Sequence, residues 1–340
     1  MIRIEARARV VALALPAIWG AVAVAYELTC PLAQEDGLGA RMTSSAVFFA
    51  VGTGLTAGVR RVLLRELAQL SEVAKAAQRV LLRPLPPRLD GLAVAAGQLS
   101  AHRGADVGGD LYEAVVTERG VRVVMGDVRG HGLAPIGTVA AVLGSFREAA
   151  HDERELAGVL RRLERALGRH VDGVEGGAEG ADGEEFVTVL LLEIRPDGSV
   201  FALNCGHPWP YRLGRGVGRI VGGEPLPPLG PFPLPDALPA RYCGRILPGE
   251  VLLLHTDGVE DARDAAGRFF PLHRALVEAA AAPASPEPDE LVGSLRGALL
   301  RHTGGRSGDD MALLALRNDR PRVPRQGCAQ TANLRSSTRS

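Results

Sequence analysis

The chain has 340 residues, which exceeds one average domain without requiring two large ones. Lysine plus arginine and aspartate plus glutamate both total 39, so the net charge of zero gives no sign of a nucleic-acid partner. The hydrophobic fraction of 46% is ordinary for a globular protein, and the four cysteines form no Cys-x-x-Cys pair, which argues against a thiolate zinc site or a disulfide framework.

Two uncharged apolar runs dominate the first 60 residues. They cover Val10 to Tyr26 and Met42 to Val59, and each is slightly shorter than the ~20 residues that comfortably span a bilayer. Arginines precede the first run and follow the second, whereas the connecting segment is mainly acidic. By the positive-inside rule, residues 1–60 are predicted to form two transmembrane helices with both ends in the cytoplasm.

Two other interpretations of the apolar runs stay open. A basic start followed by an apolar stretch with small residues is also typical of a cleaved signal peptide. Pro16, Gly52 and Gly54 are compatible with a soluble helical hairpin buried in protein. The arginines that closely follow the second run favour the membrane anchor over both alternatives.

Residues 61–84 are predicted to form a linker helix. From Leu63 to Leu81 apolar residues recur at alternating spacings of four and three, which is the pattern of a coiled-coil seam. This seam is short for an autonomous coiled coil, so the helix either joins two chains in a homodimer or packs on its own domain. Pro84 and the prolines after it end the helix.

Residues 85–317 are predicted to form one mixed domain, and residues 318–340 a disordered tail. The predicted strands are Leu92–Leu99, Leu111–Thr117, Val121–Met125, Phe186–Ile194, Val200–Asn204, Val251–His255 and Met311–Leu316. The predicted helices are Pro135–Ala150, Glu153–His170, Leu272–Ala281 and Asp289–His302. Strands come in runs with helices inserted in pairs, so antiparallel pairing is predicted, and the glycine-rich acidic stretch from Asp172 to Glu185 is predicted to be a mobile loop.

Four aspartate signatures with neighbouring glycines adjoin the apolar, strand-like runs of this domain. They are Val107-Gly108-Gly109-Asp110, Gly126-Asp127-Val128-Arg129-Gly130-His131-Gly132, Thr256-Asp257-Gly258 and Gly308-Asp309-Asp310. Carboxylate oxygens are the hard ligands that Mg²⁺ and Mn²⁺ prefer, and two such ions held together form a hydrolytic site. The signatures therefore predict a metal-dependent hydrolase with two Mn²⁺ or Mg²⁺ ions.

The spacing of the signatures suggests how they meet. A turn near Arg119-Gly120 would bring Asp110 and Asp127 to nearly opposite positions on two strands, where neighbours are about 5 Å apart. Asp257 follows a buried strand, and Asp309-Asp310 opens the last one. Because side chains alternate along a strand, only one acid of that last pair is expected to face the metal cluster directly.

The order of the motifs resembles one family over about residues 85–317. Pro87-Arg88-Leu89, the first two aspartate signatures, Asn204-Cys205-Gly206-His207-Pro208 and the last two signatures follow each other as in stage II sporulation protein E-type serine/threonine phosphatases. These form a branch of the metal-dependent protein phosphatase 2C (PPM) family. One such motif alone would be weak, whereas several in this order are specific.

The resemblance implies an α+β fold, an α-β-β-α sandwich of two antiparallel sheets flanked by helices, with a dinuclear Mn²⁺ or Mg²⁺ centre at one end. It implies that Asp127 bridges both ions, that Asp257 and Asp309 hold the second, and that Asp110 binds the first. Asp127 and Asp257 are the predicted catalytic residues, at which water attacks the phosphorus of phosphoserine or phosphothreonine in line. The complete predicted metal set is Asp110, Asp127, Val128 (through its carbonyl), Asp257, Asp309 and Asp310.

The family also implies a partner and a location. The expected substrate is a phosphorylated anti-sigma-factor antagonist in a partner-switching pathway, and the expected location is the cell membrane, multi-pass, with the catalytic domain in the cytoplasm. Two alternatives from other classes stay open: a non-catalytic receptor module that keeps the fold and binds a partner, and a metal hydrolase for small phosphoesters.

The chain departs from the family pattern at three places. Leu111-Tyr112-Glu113 follows the first signature where Phe-Tyr-Asp is usual, Cys205 replaces an alanine, and Glu260-Asp261 stands where Thr-Glu is usual. None of these departures removes a predicted ligand.

Four other polar residues are candidates for supporting roles at the site. His131 suits a helix-capping role better than that of general acid. His207 is expected to order a loop. Arg103 and Arg129 are the nearest candidates for binding phosphate.

Overall fold

The computed structural model describes residues 18–20, 22, 25, 38–99, 108–129, 134–175, 186–281, 286–305 and 308–321. The chain divides into two compact units, Met1–Ala77 with Arg103–Val107 and Gln78–His102 with Gly108–Ser340. Most of the first predicted apolar run, the loop after it, most of the acidic loop and nearly all of the predicted tail lie outside the described residues.

The second apolar run and the predicted linker helix form one continuous helix, α1, from Leu38 to Leu81. Within it, Ala46–Arg65 is long and apolar enough to cross a membrane and none of this stretch is buried, and it is the one such helix in the described part of the chain. The indole N–H of Trp19, from the first run, donates a 2.8 Å hydrogen bond to the carbonyl of Phe48. The two-helix membrane hairpin stays a prediction, since one candidate span is found.

The second unit contains two antiparallel sheets and their helices. Its strands are β1 Arg88–Leu89, β2 Leu92–Leu99, β3 Asp110–Thr117, β4 Gly120–Val128, β5 Val187–Ile194, β6 Ser199–Cys205, β7 Tyr211–Leu213, β8 Val217–Arg219, β9 Arg241–Arg245, β10 Val251–His255 and β11 Met311–Asn318. Its helices are α2 Ala134–Asp152, α3 Leu156–Glu175, α4 Asp257–Asp261, α5 Leu272–Ala280 and α6 Pro288–His302.

The sheets and helices form four layers. One sheet has the strand order β1-β2-β11-β10-β7-β8 and the other β3-β4-β5-β6-β9, and neighbouring strands in both pair antiparallel. Helices α2 and α3 pack on the five-stranded sheet, whereas α5 and α6 pack on the six-stranded sheet. The predicted sandwich of two antiparallel sheets flanked by helices is confirmed.

Strands β10 and β11 are apolar over most of their length, and both of their faces are buried. In β10, Leu252 and Leu254 belong to the core between the sheets, whereas Val251 and Leu253 pack toward α5 and α6. This alternation follows from side chains pointing to opposite faces of a strand. A strand buried on both faces is held firmly, so the residues that follow β10 start from a rigid position.

The predicted long elements are confirmed, and short ones were missed. Each predicted strand coincides with an observed strand to within three residues at either end, and the four helices form with ends shifted by up to five residues. Sequence reasoning missed β1, β7, β8 and β9, which are short and rich in arginine and glycine. It also missed α4, since Asp257 was placed at a strand tip rather than at the start of a helix.

Candidate metal centre

The β3–β4 hairpin places two of the predicted ligands directly opposite each other. Asp110 pairs with Asp127 in the antiparallel register, and the hairpin closes where Thr117 pairs with Gly120. Gly120 has a φ of 122°, a backbone conformation that favours glycine. The expected near-opposite register of the two carboxylates is confirmed.

The neighbouring strands β10 and β11 bring the other two signatures to the same end of the sandwich. Their register pairs His255 at the end of β10 with Leu313 near the start of β11. Asp257 is the first residue of α4, and Asp310 immediately precedes β11. A Cβ atom at Gly258 would collide with the carbonyl oxygen of Asp310, so glycine is what allows these two segments to approach each other.

The glycines of the first signature serve the same purpose. A Cβ at Gly108 would collide with the carboxylate of Asp310, which places that carboxylate against the start of β3. A Cβ at Gly109 would collide with the carbonyl oxygen of Val128 and lie 2.8 Å from Oδ1 of Asp127. Acids from two other signatures and one backbone carbonyl therefore lie against this glycine pair.

Burial and mutual repulsion make these acids hard to ionise. Burial raises the pKa of Asp110 well above its usual range, and the nearby carboxylates of Asp127 and Asp310 raise it further. Burial also raises the pKa of Asp127 to about 7, with further contributions from Asp257, Asp309 and Asp310. Each charge in such a group costs free energy unless a cation compensates it.

Asp257 belongs to the same electrostatic group. Its pKa is raised by burial and by the negative charge of Asp309. The two acids of the last signature thus raise the pKa of different neighbours. Asp310 raises the pKa of Asp110, and Asp309 raises that of Asp257. Both raise the pKa of Asp127. The four signatures, distant in sequence, form one cluster of negative charge.

Two threonines fix the carboxylate-bearing segments, and sequence reasoning missed both roles. The hydroxyl of Thr256 donates a 3.1 Å hydrogen bond to Oδ2 of Asp110 and accepts one of 2.9 Å from the N–H of Ala312. The hydroxyl of Thr188 accepts a 3.3 Å hydrogen bond from the N–H of Asp127. Thr188 is the polar residue within the apolar run 187–192 of β5, and this was the one available signal in the sequence.

His207 orders the loop that carries it. Its backbone N–H donates to Oδ1 of Asn204 and its carbonyl accepts from Nδ2 of Asn204, both at 2.8 Å. Its Nδ1 lies 3.0 Å from the Thr188 hydroxyl. Burial lowers the pKa of His207 to about 3, so its ring is neutral at physiological pH. These contacts agree with the loop-ordering role expected for this residue.

The remaining candidates are not part of the described cluster. Arg129 is exposed, with its guanidinium 5.1 Å from the centre of the Phe186 ring. His131 and Arg103 lie outside the described residues. Glu113, the altered acid of the first motif, forms a buried ion pair of 2.7 Å with Arg147 of α2, so its longer side chain has a partner away from the cluster.

The donor chemistry of the cluster fits hard divalent cations. It offers carboxylate oxygens and the Val128 carbonyl, and the raised pKa values show that negative charge is in excess there. Within the described ranges no three or more His, Cys, Asp and Glu side chains are gathered as a complete ligand set.

Comparison with known proteins agrees with this arrangement. The family model for Stage II sporulation protein E (SpoIIE) matches residues 117–319. A search of curated protein sequences finds no match.

Solved structures of three bacterial proteins share the fold. The chain is similar to the SiaA-PP2C domain of Pseudomonas aeruginosa, with a TM-score of 0.54 and 17% identity over 77% of this chain and 98% of that one. The structure of the RsbU and RsbW domains of Rv1364c from Mycobacterium tuberculosis is similar with a TM-score of 0.52 and 24% identity, over 68% of this chain and 62% of that one. The PP2C phosphatase domain with a fragment of the regulatory domain of SpoIIE from Bacillus subtilis is similar with a TM-score of 0.51 and 15% identity, over 66% of this chain and 63% of that one. The chain thus spans less than two thirds of two of these structures, and at these identities the likeness establishes the fold.

Proposed function

The chain belongs to the stage II sporulation protein E (SpoIIE) family, and on this basis we propose that it is a metal-dependent protein serine/threonine phosphatase. The single observation that carries the proposal is the meeting of the four aspartate signatures at one end of the sandwich, where Asp110 pairs in register with Asp127 and Asp310 lies against Gly108 and Gly258. Such a cluster is costly to the fold and is explained by a requirement for cations.

Six residues would hold the ions. Asp127 lies centrally, since its pKa responds to acids of two other signatures, and this suits a ligand shared by two ions. The charge of Asp309 raises the pKa of Asp257, and these two acids would hold one ion, whereas Asp110, with Asp310 and the Val128 carbonyl close by, would hold the other. When bound, Mn²⁺ or Mg²⁺ supplies Lewis-acid activation of water and neutralises charge on the phosphoryl group.

The chain's own residues would orient these ligands and manage their protons. Thr256 fixes one carboxylate oxygen of Asp110, and Thr188 fixes the backbone of Asp127. Because the pKa of Asp127 is about 7, part of this carboxyl group keeps its proton at neutral pH until a cation displaces it. We therefore expect cation affinity to rise with pH between about 6 and 8.

The wider organisation belongs to the same proposal. Residues 1–60 anchor the protein in the cell membrane, residues 61–84 form a linker helix able to join two chains, residues 85–317 form the cytoplasmic phosphatase domain, and residues 318–340 form a tail. The substrate is a phosphorylated anti-sigma-factor antagonist. The similar fold of a structure that combines RsbU and RsbW domains supports a place in partner switching.

Release of phosphate from a phosphoserine peptide tests the proposal. The wild-type chain should release phosphate in Mn²⁺ and not in EDTA, and Asp127→Asn should lower the rate by ~1,000-fold, equivalent to several kcal/mol of barrier. Arg274→Gln, a change at an exposed ion pair with Glu278 on α5, is the control and should retain the rate. Full activity in Asp127→Asn would refute the assignment.

A second substrate separates the two alternatives. A small-phosphoester hydrolase would prefer p-nitrophenyl phosphate to phosphopeptides. A non-catalytic receptor module would hydrolyse neither substrate in any divalent metal. A protein phosphatase should prefer the phosphopeptide.

A further inference from the structure

The helix that begins with Asp257 cannot hold its own position. Helix α4 has five residues, Asp257–Asp261, and isolated helices of such length are not stable. Its N-cap, Thr256, makes no side-chain capping hydrogen bond, since the Thr256 hydroxyl contacts Asp110 and Ala312 instead. Strand β10 fixes where α4 starts, and the orientation of α4 with its Asp257 carboxylate then depends on what packs against the helix.

One side of α4 rests on the segment that leads into β11. Gly258 approaches the carbonyl oxygen of Asp310 so closely that a Cβ would collide with it. The N–H of Thr256 also donates to the carbonyl of Ala312 at 3.2 Å. These contacts support the start of the helix but leave its last turn to other partners.

The other side of α4 is held through Glu260 by the β7–β8 hairpin. The guanidinium of Arg219, at the end of β8, donates to Oε1 of Glu260 in an ion pair. The hydroxyl of Tyr211, at the start of β7, donates to the same oxygen at 3.2 Å. Both donors converge on one carboxylate oxygen one helical turn after Asp257.

The two donors are themselves held in place. The guanidinium of Arg219 lies 5.1 Å from the centre of the Tyr211 ring. That ring is buried and stacks on His255, with centroids 5.8 Å apart, and strand β7 pairs with β10. The β7–β8 hairpin is thus fixed to β10, the strand that precedes Asp257. Through Glu260 the same hairpin also contacts α4, the helix that Asp257 begins.

We infer that Arg219, Tyr211 and Glu260 form a clamp that positions Asp257 for its cation. The inference rests on the proposed function, because it concerns a residue proposed to bind metal there. The clamp residues are positioning residues, since none of them is proposed to contact cation or substrate.

The direction in which Arg219→Gln changes the affinity for Mn²⁺ distinguishes positioning of Asp257 from a simple effect of charge. Removing a positive charge near the cluster would strengthen cation binding if charge alone mattered. If the clamp positions Asp257, the same change should weaken Mn²⁺ binding by about tenfold or more, the range for outer partners of metal ligands. Tyr211→Phe, which changes no charge, should weaken binding a few-fold in the same direction.

Calorimetric titration of Mn²⁺ into the metal-free full chain is the measurement. Arg274→Gln is the matched control, because it also breaks an arginine–glutamate pair, with Glu278, on the exposed face of α5. It should bind Mn²⁺ as the wild type does. Arg219→Lys, which keeps the charge and one donor, should recover most of the affinity lost in Arg219→Gln.

The outcomes are distinguishable. Weaker binding in Arg219→Gln and Tyr211→Phe with an unchanged control supports the clamp. Wild-type binding with equal or tighter binding in both variants overturns it and leaves the proposed function intact. Absence of Mn²⁺ binding in the wild type overturns the proposed function and the clamp with it. If Arg219→Gln does not fold, Tyr211→Phe alone decides between the first two outcomes.

Discussion

Strand β4 carries an ionisable side chain near each of its ends, buried at Arg122 and half-buried at Asp127, and the two side chains have partners of opposite kinds. Near the start, Arg122 pairs in register with Glu193 of β5, and near the other end Asp127 pairs in register with Asp110 of β3. The first is a cross-strand pair of opposite charges and the second a pair of like charges. The same sheet geometry thus produces one neutralised site and one with excess negative charge.

At the end of β4 that carries Arg122, the charged groups find all their described partners within the protein. Arg122 is almost fully buried and donates two hydrogen bonds to Glu193 and three to the carbonyls of Ala150, Glu153 and Arg154. Arg195 also bonds Glu193, at 3.0 Å. No external ligand is needed there, whereas the excess negative charge of the cluster around Asp127 would be compensated by the cations of the proposed function.

The largest expected effect comes from breaking the neutralised end. Arg122→Met should lower the free energy of unfolding by about 3–5 kcal/mol, because it leaves the buried Glu193 carboxylate with one partner fewer and three carbonyls without a donor. Chemical denaturation of the metal-free protein measures this loss. Adding Glu193→Leu should recover part of it, and a loss below about 1 kcal/mol would contradict the account.

The pH dependence of stability should come from the acidic end. The folded state holds the Asp127 proton to about pH 7, far above the usual value of 3.8, so the metal-free protein loses stability as pH rises between these values. We expect the melting temperature without metal to fall by on the order of 5 °C over this range. Saturating Mn²⁺ should remove or reverse this slope, and an identical slope with and without Mn²⁺ would count against a cation site.

Removing one acid from the cluster should stabilise the metal-free protein. Asp110→Asn keeps the shape and an acceptor for the Thr256 hydroxyl while it removes a buried negative charge beside Asp127 and Asp310. The melting temperature in EDTA should rise by roughly 2–4 °C, the effect of about 1 kcal/mol in a domain of this size. In Mn²⁺ the order should invert, with the wild type more stable, and a variant less stable in both conditions would indicate lost packing instead.

The smallest effect is expected at an exposed pair. Arg245 and Asp197 form a 2.8 Å ion pair with both side chains about half exposed. Arg245→Gln should change the free energy of unfolding by less than ~0.5 kcal/mol. A change of several kcal/mol by denaturant titration would show that burial is not what separates the Arg122 pair from ordinary surface pairs.

The sequence predicted the parts of this comparison that depend on local pattern. Alternating and continuous apolar runs located the long strands, and the turn before Gly120 was sufficient to place Asp110 against Asp127. Asp257 and the last signature came from their position beside strongly apolar strands. These inferences hold because short loops and strand periodicity constrain neighbours that are close in the chain.

Contacts between distant segments could not be predicted in this way. Thr188 contacts Asp127 only because β5 pairs with β4. Two helices separate these strands in the chain, so the sequence of neither strand predicts their register. The clamp on Glu260 depends on β7 and β8, strands of three residues each, which are too short to show a period. For the same reason the buried pair of Arg122 and Glu193 gave no signal, since each residue alone resembles an exposed strand position.

Counting the Mn²⁺ ions bound to the purified chain tests the central claim most directly. Electron paramagnetic resonance of free Mn²⁺ in equilibrium with the protein gives the number of ions bound per chain. The account predicts two ions for the wild type and a loss of at least one in Asp127→Asn. A wild-type chain that binds no Mn²⁺ at millimolar concentration would contradict it.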